Sequence, residues 1–313
     1  MTVEEHAAAT GVSELEEVIG CSLCGERRVR ALFYARPGRA ARLRYHVVQC
    51  TGCGFLYRHP GIKPERLGDL YSRGGYGRYL TGYYSARRRR RYRLVMNAFR
   101  PLFSKGEGRR LLDFGSGAGQ FLELAHRRGF DCYGVDLSPD AVEFARTRPG
   151  GANSFHGSPR DVPELAAGGF DVITLWSVLA HLATPVEDLT MLRGLLRDDG
   201  ALLVLTVNAN SLQLKAERAR WGGFTPNHLK FFAPSTLRRL LRLAGFGAVV
   251  MRPMLPDHVA AGRSNLSARQ LRRMRRNVRR WNEGNMLRAV AFADADGPAR
   301  WGMKRGARVL AGR

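Results

Sequence analysis

The chain of 313 residues contains very few lysines and few acidic residues. Only five of its 51 basic residues are lysine, against 27 aspartates and glutamates, and the formal net charge is +24. Clustered basic residues release counterions from phosphates, so a polyanionic partner is one interpretation of this charge. A dominance of arginine over lysine is also typical of a GC-rich genome, and on charge alone we favour this second interpretation.

The chain also lacks a long apolar run. No stretch approaches the roughly 18 residues that would span a bilayer. Residues 1–20 contain five glutamates instead of a basic segment followed by an apolar one, so they do not resemble a secretory signal. The sequence therefore predicts a soluble cytoplasmic protein without a membrane partner.

Cysteine is scarce, and four of the five cysteines occur in two C-x-x-C pairs, CSLC and CTGC. The paired residues are Cys21, Cys24, Cys50 and Cys53. The residues between the pairs, 25–49, are enough to fold back as a short hairpin. Four thiolates in two such turns are typical of a closed structural Zn²⁺ site, whereas a redox dithiol or unligated thiols are the alternatives. Cys132 fits a small core position in a strand.

Residues 109–252 alternate short apolar strands with amphipathic helices. The predicted strands are RRLLDFG, DCYGVDL, FDVITLWSV, ALLVLTVN and GAVVMRP, and a last strand is predicted in GNMLRAVAFAD. Helical patterns such as PDAVEFARTR and PSTLRRLLRLAGF separate them. This succession predicts an α/β fold with a parallel, doubly wound sheet.

Composition divides the chain into five regions. They are an acidic tail at 1–20, a zinc-binding module at 21–60, a Tyr- and Arg-rich helical connector at 61–104, an α/β domain at 105–294 with a basic insertion near 257–282, and a basic tail at 295–313. In the connector, the pattern predicts a helix with Leu94, Val95, Ala98 and Phe99 facing inward.

The stretch LLDFGSGAGQF joins a strand to a helix through Gly115, Gly117 and Gly119. Glycine permits unusual backbone angles and lets a ligand approach the main chain closely. Asp136 follows at the end of YGVDL, where a carboxylate accepts both hydroxyls of a ribose, although a helix N-cap is the alternative role. The pattern D-x-G-x-G-x-G, which begins at Asp113, differs from the dinucleotide pattern G-x-G-x-x-G and suits a sulfonium nucleoside better than a diphosphate.

These segments together resemble class I S-adenosylmethionine-dependent methyltransferases. LLDFGSGAGQFL is similar to their first motif, YGVDLSPDAVEFAR to the ribose strand and its helix, and FDVITLWSVLAHL to the fourth strand. A zinc ribbon joined to a methyltransferase also resembles a known subgroup. The resemblance implies a Rossmann-like sheet, S-adenosyl-L-methionine as cofactor and a structural Zn²⁺ ion.

The resemblance also implies a set of cofactor-binding residues. They are Asp113, Gly115, Gly117, Gly119, Asp136, Leu137, Gly157, Ser158 and Trp176. The family often has an acid at the adenine edge, where this chain has Ser158. It commonly has Glu-His where this chain has Ala180 and His181, so only the histidine matches.

His181 and His228 are the candidate catalytic residues. An oxygen or acidic carbon acceptor must lose a proton, and a histidine with a pKa of about 6.5 suits that task. A purely structural role is the alternative for each. Five tyrosines before the α/β domain either form a lid over the acceptor or pack between the two modules. They are Tyr71, Tyr76, Tyr79, Tyr83 and Tyr84.

The basic segments RRRRRYR and LRRMRRNVRR leave two enzymatic hypotheses open. In the first, the acceptor is a small molecule, such as a sugar, a nucleotide-linked sugar or a natural-product scaffold, methylated on O, N or C. In the second, these segments bind the phosphates of an RNA substrate. A nucleic-acid-binding module without catalysis is a third reading. The sequence has no aromatic-rich RNA-recognition pattern, which favours the small acceptor, and it predicts no oligomeric state.

Overall fold

The computed structural model describes most of the chain. The described residues are 1–10, 16–35, 45–67, 85–104, 106–225, 227–254, 283–303 and 307–310, with the single positions 269, 272, 276 and 278. The tyrosines of the predicted lid lie outside these residues, and so does most of the predicted basic insertion near 257–282.

The N-terminal part of the chain forms a small β-module around the two cysteine pairs. Its elements are α1 (Val3–Thr10), β1 (Glu16–Glu17), β2 (Val29–Ala35), β3 (Tyr45–Cys50), β4 (Leu56–His59) and β5 (Gly61–Ile62). Strands β2 and β3 form the hairpin predicted between the cysteine pairs, and β4 continues their antiparallel sheet. Thr2 forms a bridge with Arg28 and Val3 is fully buried, so this part of the predicted acidic tail packs on the module.

Two helices, α2 (Ala86–Ala98) and α3 (Arg100–Phe103), lead into the central sheet. Ser85 caps the first of them, because its hydroxyl accepts a hydrogen bond from the backbone N–H of Arg88. Val95 and Phe99 are fully buried, as predicted. The inward face also includes Tyr92 and Met96, which the sequence pattern did not single out.

Eight strands of the described residues form the central sheet. In chain order they are β6 (Arg110–Phe114), β7 (Asp131–Asp136), β8 (Asn153–His156), β9 (Phe170–Trp176), β10 (Leu196–Val207), β12 (Ala248–Met254), β13 (Met286–Phe292) and β14 (Ala307–Val309). Their spatial order is β14-β12-β13-β10-β9-β6-β7-β8. The predicted mixture of strands and helices around a central sheet is confirmed.

The sheet is not wholly parallel, which corrects the prediction. Strands β8, β7, β6, β9 and β10 are parallel neighbours, but β13 pairs antiparallel with both β10 and β12, and β14 pairs antiparallel with β12. The pattern of apolar residues in a strand indicates which residues are buried, but it does not indicate the direction of the strand. Strand β14 and the buried Met303 and Leu310 also show that part of the predicted basic tail completes the domain.

Helices cover both faces of this sheet. They are α4 (Gln120–His126), α5 (Pro139–Arg146), α6 (Pro163–Ala166), α7 (Pro185–Leu195), α8 (Leu212–Glu217), α9 (Pro234–Leu243) and α10 (Gly297–Arg300). One core contains Leu112, Ile173 and Leu202, and the other contains their chain neighbours Leu111, Val172 and Leu203. Because successive residues of a strand face opposite sides, the sheet is doubly wound, as predicted.

The cysteine module and the α/β domain share a sheet and a core. Strand β11 (Lys230–Phe231), from the loop between β10 and α9, pairs antiparallel with β4 of the module. The rings of Phe55 and Phe232 pack with centroids 4.9 Å apart. Among the described helices, none is long and apolar enough to cross a bilayer.

Candidate cofactor and acceptor site

The glycine turn lies at the carboxyl end of β6 and leads into α4. Gly115, Gly117 and Gly119 have φ angles of 75°, 50° and 73°, in the left-handed region that glycine adopts without steric penalty. A Cβ atom at Gly115 would lie 2.3 Å from Cγ2 of Val178, and one at Gly119 would lie 3.0 Å from Cβ of Ala145. The turn therefore requires glycine both for its backbone angles and for its packing.

Asp136 ends β7 and is hydrogen-bonded to the glycine turn. Its Oδ2 accepts from the backbone N–H of Gly117 at 2.8 Å, and its Oδ1 accepts from that of Ser138 at 2.9 Å. The N-cap of α5 is Ser138, whose hydroxyl accepts from Ala141, so the N-cap alternative for Asp136 is wrong. A carboxylate has about four acceptor positions, so Asp136 can still accept from a ligand hydroxyl.

Asp113 is buried within β6, beneath the glycine turn. Burial raises its pKa to about 8, although the hydroxyl of Thr174, which donates to Oδ1 at 2.7 Å, opposes this shift. The charge of Asp136 raises the pKa of Asp113 further, and burial raises the pKa of Asp136 itself. A cationic ligand would stabilise the charged form of both carboxyl groups.

The residues predicted for the adenine side meet at the next strand ends. The backbone N–H of Gly157 donates to the carbonyl oxygen of Asp136 at 3.1 Å. Leu137 is 42% exposed despite being apolar, and it offers a surface against which an aromatic base can pack. The hydroxyl of Ser158 accepts from the backbone N–H of Arg160 at 3.3 Å, which leaves its own proton available to a ligand acceptor.

Three buried polar atoms beside the glycine turn have no hydrogen-bond partner within the described part of the chain. They are Oγ of Ser116, Oε1 of Gln120 and Nε1 of Trp176. Trp176 ends β9, and its ring packs against those of Phe121 and Tyr92. Buried polar groups are rarely left unpaired, so this end of the cleft fits a ligand with both donors and acceptors, such as an amino acid group.

The two predicted catalytic histidines are in contact. The ring centroids of His181 and His228 lie 4.8 Å apart, with the rings nearly perpendicular. Nδ1 of His228 lies 2.6 Å from the carbonyl oxygen of Gly223. Donation to that carbonyl fixes the proton on Nδ1 and leaves the lone pair on Nε2.

Both histidines are neutral at pH 7. Burial lowers the pKa of His228, and burial together with the nearby His228 lowers the pKa of His181 to about 3. A neutral imidazole is the form that accepts a proton from an acceptor group. The pair thus has the protonation state that a general base requires.

Ser177 connects Trp176 to the short helical turn Leu179–His181. Its φ angle is 64°, and its backbone N–H donates to the carbonyl oxygen of Leu205 at 2.8 Å. A left-handed conformation at a residue with a Cβ costs about 1 kcal/mol and tends to occur at functional sites. Its position at a strand end was visible in the sequence, but nothing in the residue type indicates the strain.

The loop that carries His228 is held on two sides. The N–H of Leu229, the next residue, donates to the carbonyl oxygen of Ala180 at 2.7 Å, and its carbonyl oxygen accepts from the N–H of Arg58 at 2.8 Å. The hydroxyl of Tyr45 also donates to the carbonyl oxygen of Thr225 at 2.9 Å. Sequence reasoning treated the cysteine module as separate and missed this connection, because a two-residue strand such as β11 has no recognisable pattern.

The four paired cysteines form one cluster. Their sulfur atoms lie within 4.8 Å of one another, and Cys21 to Cys53 and Cys24 to Cys50 are both 3.5 Å. Disulfides require about 2.05 Å, whereas four sulfurs at about 2.3 Å from Zn²⁺ would be roughly 3.8 Å apart. The separations therefore fit tetrahedral metal binding.

The two cysteine turns have the same geometry. Gly25 and Gly54 both have φ of 73°, and their N–H groups donate to the carbonyl oxygens of Cys21 and Cys50. Burial raises the pKa of Cys21 and that of Cys53. A bound cation would stabilise the thiolate forms of these two cysteines.

The strand order, the glycine turn and the acid at the end of β7 define a Rossmann-like enzyme that binds a nucleoside cofactor. A family profile described as "Methyltransferase domain" matches residues 84–250, more than half of the chain, and the chain belongs to this methyltransferase family. The enzyme is an S-adenosylmethionine-dependent methyltransferase, which confirms the predicted family and activity.

Relatives and solved structures agree with this assignment. The chain is 32% identical over 175 residues to the ubiquinone biosynthesis O-methyltransferase of Cereibacter sphaeroides, across 53% of this chain and 70% of that protein. It is 30% identical over 152 residues to the protein of the same name from Aromatoleum aromaticum, across 44% of this chain and 64% of that protein. A SAM-dependent methyltransferase from Archaeoglobus fulgidus has a similar fold, with a TM-score of 0.50 and 20% identity over 69% of this chain and 99% of that one.

Proposed function

We propose that this methyltransferase modifies a hydroxyl group of a small-molecule acceptor and that His228 removes the hydroxyl proton. The observation that carries the proposal is the contact between two partly buried histidines that are neutral at pH 7, His181 shortly after β9 and His228 in the loop between β10 and α9. The names of the relatives support an oxygen acceptor over nitrogen or carbon, because those proteins are O-methyltransferases.

His228 is the better candidate for the base. Its Nδ1 is bound to the carbonyl oxygen of Gly223, so the imidazole is oriented and Nε2 carries the lone pair. His181 packs edge-on against it, and the repulsion between two imidazolium groups allows the pair only one proton at a time. Because burial lowers its pKa, a protonated His228 returns the proton to solvent readily.

For the cofactor, we propose that Asp136 accepts hydrogen bonds from the ribose hydroxyls and that Leu137 packs on the adenine. Gly157 and Ser158 bound the adenine edge, and Asp113 orients the glycine turn. Ser116, Gln120 and Trp176 supply the unpaired polar atoms for the amino acid end. When bound, S-adenosylmethionine supplies an electrophilic methyl group, and the chain contributes alignment and exclusion of water.

We also propose that Cys21, Cys24, Cys50 and Cys53 hold one Zn²⁺ ion. Four sulfur ligands leave no open coordination position, so the ion is structural. Its site borders β4, which pairs with β11 in the loop that carries His228. The metal would therefore stabilise the loop that carries His228.

The test is a transfer assay with methyl-labelled cofactor. The purified protein is offered phenols, sugars, nucleotide-linked sugars and a structured RNA, and we expect label in a hydroxyl of a small molecule. Label that appears in RNA, and in none of the small acceptors, would overturn the proposal. The His228→Asn variant should lose transfer, whereas the exposed His126→Asn control should retain it.

A further inference from the structure

A cavity of about 170 Å³ lies between the cysteine module and the α/β domain. One wall comes from residues in and beside β1 and β5 of the module, and the other comes from the segments that follow His181 and His228. Neither histidine lines the cavity, so an occupant would be distinct from the proposed acceptor. The polar side chains that line it are Glu17, Ser22, Arg58, Thr184, Glu187 and Lys230.

Lys230 places a buried ammonium group in this lining. The residue is 2% exposed, and its Nζ lies 5.5 Å from the centroid of the Tyr57 ring. Within the described part of the chain, Nζ forms no hydrogen bond and no ion pair. Charges at Cys21, Glu17 and Glu187 act on it over longer distances. An ammonium group has three N–H donors, and buried polar groups are rarely left unpaired, so Lys230 fits a ligand with an acceptor group.

Two carboxyl groups line the same cavity. Glu17 is half-buried in β1, and Glu187 is exposed in the first turn of α7. Among the described residues, neither side chain has an ion pair or a hydrogen bond. Arg58 also lines the cavity, but it has other interactions, including the Tyr45 ring, whose centroid is 5.1 Å from Cζ. Glu17, Glu187 and Lys230 therefore offer a ligand both acceptors and donors.

This mixture of charges selects a dipolar ligand. A simple carboxylate would be attracted by Lys230 and repelled by the two glutamates, whereas a simple amine would meet the opposite pattern. The cavity is several times larger than the roughly 30 Å³ of one water molecule and smaller than the roughly 300 Å³ at which drug-sized sites begin. We infer that it binds a small zwitterion of the size of a simple amino acid, whose carboxylate accepts from Lys230 and whose ammonium group donates to the glutamates.

The test is calorimetric titration of the full chain, without methyl donor, with L-alanine, propionate and ethylamine. Propionate lacks the ammonium group of alanine, and ethylamine lacks its carboxylate. We expect one equivalent of L-alanine to bind and to raise the melting temperature. Each of the other two probes should bind at least about tenfold more weakly, because it loses one charge-assisted contact and keeps the repulsion.

Lys230→Met removes the ammonium group and keeps a long apolar side chain in the same place. The variant should bind L-alanine at least about tenfold more weakly than the wild type does. Wild-type affinity for L-alanine in this variant would overturn the inference, since the charge of Lys230 would then serve only the fold.

A second variant keeps the inference testable if Lys230→Met does not fold. The double variant Glu17→Gln with Glu187→Gln removes the repulsion, so it should bind L-alanine more weakly and propionate more tightly. The matched control, Glu143→Gln with Glu164→Gln, loses the same charge at exposed positions of α5 and α6 and should keep the wild-type preference. No saturable binding of L-alanine to the wild type, equal binding of L-alanine and propionate, or an unchanged preference in the first double variant would each overturn the inference.

Discussion

The backbone N–H of Arg58 donates to the carbonyl oxygen of Leu229 at 2.8 Å. Arg58 lies in β4, shortly after the second cysteine turn, and Leu229 directly follows His228. Because the N–H of Leu229 donates to Ala180, one residue links the cysteine module, the loop of His228 and the turn of His181. The cysteine module and the two histidines are thus connected through the backbone.

Removal of the metal is expected to loosen this connection. Elemental analysis should find about one zinc per chain, and chelation should speed hydrogen exchange at the amides of Leu229, Lys230 and Phe231. The amides of β6 and β9 should be unaffected, since their partners lie within the central sheet.

Cys50→Ser should reproduce the effect of chelation, because it removes one ligand. Cys132→Ser is the matched control, since Cys132 is buried in the α/β domain, away from the cluster. A metal-free preparation with wild-type exchange at Leu229 to Phe231 would contradict the expected role of the metal.

Replacement of His228 is expected to reduce turnover and not cofactor affinity. His228→Asn removes the nitrogen that we propose as the proton acceptor, and loss of a general base typically lowers kcat by about 10² to 10⁴. Steady-state kinetics and calorimetry with S-adenosylmethionine separate the two effects. The lowered pKa of His228 also places the acid limb of the wild-type pH profile below 6.5. A variant with unchanged kcat would exclude His228 as the base.

The sequence predicted the glycine turn better than the arrangement of the two histidines. The backbone angles at Gly115 and Gly119 favour glycine, and the hydrogen bond at Asp136 uses its carboxylate, so the residue types themselves indicate this turn. The predicted turn is present. The contact of His181 with His228 was not predictable, because it depends on a loop held by the two-residue strand β11. The reversed direction of β13 likewise comes from tertiary pairing and not from its apolar pattern.

Asp136 provides a test of the cofactor cleft. Asp136→Asn loses the charge that strengthens hydrogen bonds from ribose hydroxyls, which are worth about 1.5 to 3 kcal/mol, so affinity for S-adenosylmethionine should fall about tenfold or more. Asp140→Asn, at an exposed position in the first turn of α5, removes the same charge nearby and should change affinity little. Equal affinities of the two variants by calorimetry would show that Asp136 does not hold the ribose.

Asp113 should make the stability of the ligand-free protein depend on pH. Its pKa is about 8 in the folded chain, against 3.8 for the free side chain, so the folded state binds this proton more tightly. The resulting contribution to the free energy of unfolding is fully present below pH 3.8, declines as pH rises and is lost above about pH 8.

Asp113→Asn imitates the protonated acid and keeps an acceptor for the hydroxyl of Thr174. The variant should therefore gain stability relative to the wild type as pH rises from about 5 to 9, as measured by thermal unfolding. Asp140→Asn, at an exposed acid, should follow the wild-type curve. Saturating S-adenosylmethionine should remove the advantage of Asp113→Asn, because a cationic ligand stabilises the carboxylate of the wild type. Parallel curves for Asp113→Asn and the wild type without ligand would mean that Asp113 stays charged in the fold.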